Sequence, residues 1–236
     1  MATSAPIEAR ALTDEGDRLS IGTVTDARTA MIDAAERLAA EQGLAATSLR
    51  EIQAAAGQRN KSAAAYHFGS KEGLVEAVVA RRMGAVGARR RERLDALGPD
   101  PDRRALVEAL VLPLAEHVTA GDHPSHWARF LLQAAHDPVF ARTVRLAFEG
   151  STFREVRDAI LAGLDHLPAE LRDRRLEHAI GLVVTSLATL EAGHPTPGLS
   201  AAAQGADLVD MALGVLDAPA SPTTLAALSP PTALRA

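Results

Sequence analysis

Residues 48–74, which read SLREIQAAAGQRNKSAAAYHFGSKEGL, decide the fold of this chain. Ser48 and Glu51 have the spacing of a capping box, in which each side chain bonds to the other residue's backbone amide. This pattern predicts a short helix that begins at residue 49. It also predicts that the helix stops at Gly57, because glycine readily adopts the left-handed conformation in which helices end.

A second short helix is predicted directly afterwards, over residues 61–67, with Asn60 as its N-cap. Phe68 and Gly69 end this helix, and a longer one follows over residues 71–96. Two short helices joined by a glycine turn are typical of the helix-turn-helix, which places its second helix in the major groove of DNA.

The remainder of the chain shows helical patterns divided by glycine and proline, and no stretch alternates with a period of two. The predicted fold class is therefore all-α, with an N-terminal three-helix head and a helical C-terminal body. The predicted domains are a flexible tail (1–23), the head (24–70), the body (71–217, with 71–96 as a linking helix) and a disordered tail (218–236). The other predicted helices are 26–42, 101–119, 124–135, 138–164 with a break near Gly150, 168–192 and 201–216.

Composition excludes several classes of protein. The 236 residues include no cysteine, which excludes disulfide frameworks and thiolate metal sites. The most apolar uncharged run, residues 179–190, is too short to span a membrane, and no signal peptide is visible. We therefore expect a cytoplasmic protein without a membrane partner. No catalytic or phosphate-binding motif is present, so neither an enzyme nor a cofactor is expected.

Charge is distributed unevenly along the chain, although the net charge is −5. Residues 24–95 carry twelve basic and nine acidic groups, a net charge of +3. Residues 96–236 carry eleven basic and seventeen acidic groups, a net charge of −6. This asymmetry indicates that the N-terminal part, and not the body, meets an anionic partner.

The second short helix offers a thin, polar and partly basic face of the kind that fits the major groove. Double-stranded DNA is the predicted partner of this face, and Arg28, Arg50 and Lys71 lie near helix starts where backbone amides also favour phosphate. Tyr66 could instead pack against Phe68, His67 could cap the surface, and Lys61 could be a solvated charge. The predicted DNA-binding residues are Arg28, Ser48, Arg50, Asn60, Lys61, Ser62, Ala63, Ala65, Tyr66, His67 and Lys71.

Residues 26–79 resemble the N-terminal domain of TetR-type repressors. The resemblance rests on Tyr66-His67-Phe68-Gly69-Ser70-Lys71-Glu72-Gly73-Leu74, supported by Ala-Glu-Arg-Leu…Glu-Gln-Gly-Leu over 35–44 and by 48–57. It implies a homodimeric repressor with a variable helical body that binds a small-molecule effector and dimerises. The chain departs from the family pattern in a turn one residue longer between Gly57 and Phe68, and in the small residues Ala39 and Ala64.

The last two helices of the body are apolar or neutral nearly all round, which predicts burial on two sides. The resemblance favours a homodimer built from these helices, with two heads reading a palindromic operator. Gly181, Ala188 and Gly205 would permit close approach, although both helices could instead be central in a monomer. The predicted interface residues are Ile180, Val183, Val184, Leu187, Leu208, Met211 and Val215.

Aromatic residues are concentrated between residues 127 and 153, where family members place a ligand pocket. They could equally fill an alanine-rich core. A pocket here would be mostly apolar and would suit an uncharged or amphipathic effector. The predicted ligand-binding residues are His117, His126, Trp127, Phe130, Leu131 and Phe148.

A group of histidines and a run of basic residues do not point to a further binding site. His117, His123 and His126 are close in sequence, but His123 is predicted to lie in a loop, so their geometry is unconstrained and no metal site is expected. The basic run 89–93 would suit nucleic acid, but on a linking helix it is expected to be a solvated face. An alternative function is a helical small-molecule or metal-binding protein without DNA binding, suggested by the longer turn and the overall acidity of the chain.

Overall fold

The computed structural model describes residues 14–60, 62–119, 125–148, 151–193 and 198–228, with side chains from residue 27 onward except that of 151. All regular structure in these ranges is helical, which confirms the all-α prediction. None of their helices is both long and apolar enough to cross a membrane. The helices are α1 (Asp14–Gln42), α2 (Leu49–Ala55), α3 (Ala63–Phe68), α4 (Lys71–Asp95), α5 (Arg103–Thr119), α6 (Trp127–His136), α7 (Ala141–Phe148), α8 (Ser151–Ala162), α9 (Ala169–Glu191), α10 (Ala201–Asp217) and α11 (Pro222–Ala227).

The chain divides into two compact units after Val78, within α4, rather than after residue 70 as predicted. The N-terminal unit packs α1 against α2 and α2 against α3 around a small aliphatic core. Its buried side chains include Met31, Ile32, Ala39, Leu44, Ile52, Ala64, Leu74 and Val75.

The second unit is built around α5, α9 and α10, which pack on one another. Helix α6 packs on α9, α7 on α6, and α8 on α5 and α9. Its largest fully buried side chains are Trp127, Phe130, Leu131, Ile160, Leu164, Leu167, Leu187 and Leu216.

Helix α1 begins twelve residues earlier than predicted, so the expectation of a flexible tail is wrong for residues 14–23. This segment contains no proline, and its glycines, Gly16 and Gly22, weaken a helix without ending it. Residues 1–13 of the predicted tail lie outside the described residues.

Helices α5, α6 and α7 begin two or three residues later than predicted. Helix α5 begins at Arg103 because the Asp102 side chain accepts a hydrogen bond from the Ala105 amide (2.8 Å), as an N-cap does. Residues 138–140 form a turn in which Asp137 accepts from the Val139 amide (2.8 Å), and α7 follows at Ala141. Helix α6 begins at Trp127, whereas Pro124 lies outside the described residues.

The predicted disordered C-terminal tail contains a short helix, α11. The Ser221 hydroxyl accepts from the Thr224 amide (3.1 Å), and Pro222 occupies a first-turn position where its missing amide costs nothing. Pro222 therefore fits the first turn of a helix here, although the proline-rich composition predicted disorder. Residues 229–236 lie outside the described part of the chain.

Candidate functional site

Two glycines shape the helix-turn-helix of the N-terminal unit. Gly57 follows α2 with φ +69°, and Gly69 follows α3 with φ +71°. A Cβ atom at either position would meet no atom within 4 Å, so glycine is needed there for its backbone conformation and not for space.

The capping box at the start of α2 is confirmed. The Glu51 amide donates to Ser48 Oγ (3.2 Å), and the Ser48 amide donates to Glu51 Oε2 (2.8 Å). Hydrogen bonds from the Ser48 side chain and backbone lower the pKa of Glu51, with a smaller contribution from the charge of Lys71. The polar groups of Ser48 are thus engaged in holding the helix start.

Gln53 braces the turn between α2 and α3, a role that the sequence analysis missed. The side chain is only 8% exposed. Its Nε2 donates to the Asn60 carbonyl (2.7 Å), and its Oε1 accepts from the Ala64 amide in α3 (3.3 Å). The available signal was a polar residue next to Ile52 on the apolar face of α2.

Helix α3 begins at Ala63 with Ser62 as N-cap, so the predicted start at Lys61 and the predicted cap Asn60 are wrong. Asn60 Oδ1 instead accepts from the Ser62 amide (3.1 Å) and hydroxyl (2.8 Å). Its side chain therefore stabilises the longer turn rather than the helix. Lys61 lies outside the described residues.

The outer face of α3 presents Ser62, Ala65 and Tyr66. Tyr66 is 80% exposed and contacts the ring of His67 edge-on (5.1 Å between ring centres), so it does not pack into the core. Ala63, by contrast, is buried and does not belong to this face, which corrects the predicted set.

The basic residues of the N-terminal unit differ in their exposure and in their contacts. Arg50 and Arg59 are exposed beside an open groove of about 620 Å³ between α2 and α3. The Arg28 guanidinium lies over the half-buried Phe68 ring at 5.5 Å. Lys71 Nζ donates to the carbonyls of Leu44 (2.6 Å) and Ala45 (3.2 Å), so it ties the loop after α1 to the start of α4.

The second unit contains an open cavity of about 810 Å³ bounded by α6, α7, α8 and α9. Of the predicted ligand residues, Leu131 and Phe148 line it. Trp127 and Phe130 do not, because they stack on each other (6.0 Å) in the core. Three cavity-lining arginines were not foreseen: Arg145, Arg154 and Arg157.

The two predicted ligand histidines also do not line this cavity. His126 is the N-cap residue of α6, and its Nδ1 lies 2.8 Å from Arg129 Nη2. His117, on α5, is half-buried; desolvation first, then the charges of Arg82, Arg89 and Arg81, lower its pKa to about 4. His117 is therefore neutral at physiological pH.

Glu191, the last residue of α9, caps the start of α6. Its two carboxylate oxygens accept from the amides of Ala128 and Arg129, both at 2.9 Å, and its side chain is buried. A carboxylate suits this position because helix N-termini carry partial positive charge. The pair is separated by more than 60 residues, which hid it from sequence reasoning.

The predicted dimer residues fall into three groups. Val183, Leu187 and Leu208 are buried within this chain, so they are not available to a partner. Ile180 and Val184 line the cavity. Val215 is half-buried and Met211 is 37% exposed.

The glycines named for close approach also differ. A Cβ at Gly205 would lie 3.1 Å from Leu112 Cδ2, so Gly205 serves the packing of α10 on α5 within the chain. A Cβ at Gly181 or Gly214 would meet open space.

The basic run on α4 is not a uniform solvated face. Arg91 pairs with Glu155 of α8, and Arg93 pairs with Glu116 of α5. Arg90 is buried, contrary to expectation, and its guanidinium lies over the Phe153 ring at 5.7 Å. Among the described residues, no three His, Asp or Glu side chains come together as a candidate metal site.

The comparisons with known proteins agree with this geometry. Residues 31–78 match the family model of bacterial regulatory proteins of the tetR family. No curated protein matches the chain significantly in sequence.

Solved structures resemble the chain over most of its length. The probable transcriptional regulatory protein RHA5900 has a TM-score of 0.53 and 26% identity over 83% of this chain and 100% of its own. AmtR of Mycobacterium smegmatis has a TM-score of 0.52 and 23% identity over 81% and 86%. The fatty acid degradation regulator FadR of Bacillus halodurans has a TM-score of 0.53 and 18% identity over 79% and 97%. At these identities, AmtR and FadR show a similar fold only.

A braced helix-turn-helix and an all-helical fold agree with the match over residues 31–78, where the chain is similar to bacterial regulatory proteins of the tetR family.

Proposed function

We propose that the chain is a cytoplasmic transcriptional repressor of the TetR type that binds a palindromic operator as a homodimer and is released by a small, mostly apolar effector. One observation carries the proposal. The same chain combines a helix-turn-helix whose Tyr66 is 80% exposed with an open cavity of about 810 Å³ in its other unit. Such a volume lies within the range of about 300–1,000 Å³ that small-molecule sites occupy.

In the proposed complex, α3 enters the major groove. Ser62 and Ala65 face base edges, and the small side chain of Ala65 lets the backbone approach. Tyr66, His67, Arg28 and Arg50 contact backbone phosphates, which set the register without reading sequence. Lys61, just before α3, is assigned to the same surface from the sequence alone.

The effector would act through α8 and α4. Phe153, Arg154 and Arg157 of α8 line the cavity, and the ion pair between Glu155 and Arg91 joins α8 to α4. An occupant that displaces α8 would therefore move α4, whose first residues belong to the DNA-binding unit. A shift of a few ångströms in either head would prevent both from engaging their half-sites, since binding of the second head depends on the span.

The proposed dimer uses the outer faces of α9 and α10. Thr185 and Thr189 on α9, and Met211 and Gly214 on α10, are exposed and uncharged. This set replaces the buried residues of the sequence-based prediction. Small residues on both helices suit the close packing of a two-fold four-helix interface.

The test begins with selection of binding sites from random duplex DNA, followed by fluorescence anisotropy at several salt concentrations. We expect a palindromic consensus and an affinity that falls steeply with salt. Arg50→Ala should lower the slope of log affinity against log salt by about 0.9 per lost phosphate contact. Tyr66→Ala should weaken binding, whereas the control Arg142→Ala, an exposed arginine of α7, should change neither quantity.

The proposal would be contradicted if the selection recovered no consensus sequence. It would also be contradicted if Arg50→Ala and Tyr66→Ala bound DNA as tightly as the control Arg142→Ala. Either result would favour the alternative of a helical binding protein that does not bind DNA.

A further inference from the structure

Arg90 is a buried cation in apolar surroundings. It is only 2% exposed, and it lines a small gap of about 20 Å³ in the core of the second unit. The other walls of this gap include Val107, Leu110 and Leu114 of α5. Its guanidinium makes a cation–π contact with the Phe153 ring.

No carboxylate among the described residues pairs with Arg90, and its buried Nε has no hydrogen-bond acceptor there. The neighbouring arginines Arg91 and Arg93 each have a glutamate partner. Burial lowers the pKa of Arg90 to about 10, which still leaves the guanidinium charged at neutral pH. An uncompensated buried charge is strongly unfavourable, and among the described residues nothing compensates the charge of Arg90.

The gap at Arg90 adjoins the large cavity. Phe148, Phe153, Leu176 and Ile180 line both spaces. Phe148 and Phe153 meet edge-to-face at 5.2 Å between ring centres. The half-buried Phe153 side chain lines both spaces and contacts Arg90, so an occupant of the cavity would reach Arg90 only if this ring moved.

The other charges of the cavity are arranged differently. Arg157 pairs with Asp158 (2.8 Å) and with Asp173, and Glu177 lies on the same wall. With Arg145 and Arg154, the large cavity is lined by three arginines and three carboxylates, so its positive and negative groups balance. Among the described residues, the gap at Arg90 is lined by this one cation and otherwise by apolar side chains.

We propose that Arg90 binds the carboxylate of an organic acid whose apolar body fills the cavity. A carboxylate presents two oxygens to the planar guanidinium fork and carries the one negative charge that a single arginine compensates. A dianionic phosphate would carry a second negative charge that a single arginine leaves uncompensated. The proposal rests on the proposed function, because it names the chemical class of the effector for the same cavity.

The test compares probes that differ only in charge. Decanoate and 1-decanol are titrated into the full-length protein without DNA, by calorimetry at pH 7.5, with acetate as a third probe. A charge-assisted bond in an apolar site should make decanoate bind on the order of 10-fold more tightly than decanol, or better. Acetate, which lacks the apolar body, should bind far more weakly than decanoate.

Substitution then assigns the preference to Arg90. Arg90→Met should abolish the preference for decanoate while decanol still binds, and the matched control Arg91→Met should retain it. Removal of an unpaired buried charge should leave the melting temperature of ligand-free Arg90→Met unchanged or raised. A purely structural role through Phe153 would lower it instead. Arg90→Gln, which keeps polarity without charge, provides the same comparison if the methionine variant does not fold.

Three results would overturn the proposal: no preference of the wild-type protein for decanoate, a preference that survives in Arg90→Met, or acetate binding as tight as decanoate, which would indicate a simple anion site. Operator release is measured separately by anisotropy. Binding of decanoate through Arg90 without operator release would sustain this inference and refute the effector role in the proposed function.

Discussion

Gln53 shows how one amide holds a DNA-binding motif in shape. It bonds to the carbonyl of Asn60 on one side of the turn and to the amide of Ala64 on the other. The longer turn between α2 and α3 thus has a brace that fixes where α3 begins. A turn of this length without such a brace would leave the orientation of α3 less defined.

We expect Gln53→Met to lower the free energy of unfolding by about 1–3 kcal/mol, because it leaves buried backbone groups without hydrogen-bond partners. Urea denaturation followed by circular dichroism would measure this. The control Gln58→Met removes a single bond to the Ala56 carbonyl from a less buried side chain and should cost less. Equal stability of the Gln53 variant and the wild type would show that the brace is dispensable.

His117 gives the protein a defined pH dependence. Its pKa of about 4 in the folded chain lies below the value of 6.5 for an unperturbed histidine. As pH falls from about 6.5 to 4, the unfolded chain takes up this proton first, so the stability present above pH 6.5 is progressively lost. The difference in unfolding free energy between wild type and His117→Gln should therefore be constant above pH 7.5 and decline through this window. A difference that stays constant at all pH values would contradict the assignment.

Residues whose partners are close in sequence were predictable, and residues with distant partners were not. Ser48 and Glu51 lie three positions apart, so their capping box could be read directly. Glu191 meets amides more than 60 residues away, and the burial of Arg90 depends on α5 and α8. Neither environment leaves a local pattern in the sequence.

At the scale of the elements, helix type was predictable and helix starts were less so. Apolar periodicity reports that a segment is helical, whereas the start depends on which side chain accepts the first amide. Asn60 is a good N-cap by composition, yet it bonds within the turn. Asp102 and Ser221 each accept a hydrogen bond from an amide in the first turn of a helix. Helix α5 therefore begins after Asp102, and α11 begins after Ser221.

The packing of α10 on α5 depends on one glycine. A side chain larger than hydrogen at Gly205 would press on Leu112. We expect Gly205→Val to lower the free energy of unfolding by about 1–3 kcal/mol through overpacking, partly offset by the better helix propensity of valine. Gly84→Val on α4 is the matched control, since a Cβ there meets open space. Equal changes of stability in the two variants, measured by denaturation, would mean that contact with Leu112 does not contribute.

At the scale of the whole molecule, charge and architecture divide the chain in a similar way. The basic excess covers the helix-turn-helix and α4, and the acidic excess covers the remaining helices. This division could be predicted from the sequence, as could the presence of a DNA-binding head. Which face of α9 and α10 stays exposed could not, because both helices are apolar nearly all round and only their packing distinguishes the sides.

The proposed dimer makes a prediction at this scale. Gly214→Arg places a charged side chain on the exposed face of α10 without a clash inside the chain. We expect it to shift the protein from dimer to monomer in sedimentation velocity and to weaken operator binding. Val139→Arg, at an exposed position outside α9 and α10, should leave both unchanged. A Gly214→Arg protein that sediments as the wild type would exclude this face as the interface.

The cap that Glu191 places on α6 makes two amide protons into reporters of a distant event. The Ala128 and Arg129 amides are held by a carboxylate at the far end of α9, so they can exchange with solvent deuterium only when that end detaches or the unit opens. Their exchange rates should therefore follow the opening of α9 rather than the fraying of α6. With Glu191→Gln, which weakens the charge-assisted bonds, the two amides should exchange faster while the later amides of α6 keep their rates. Residue-resolved hydrogen exchange would thus read the motion of one cavity wall from protons on another.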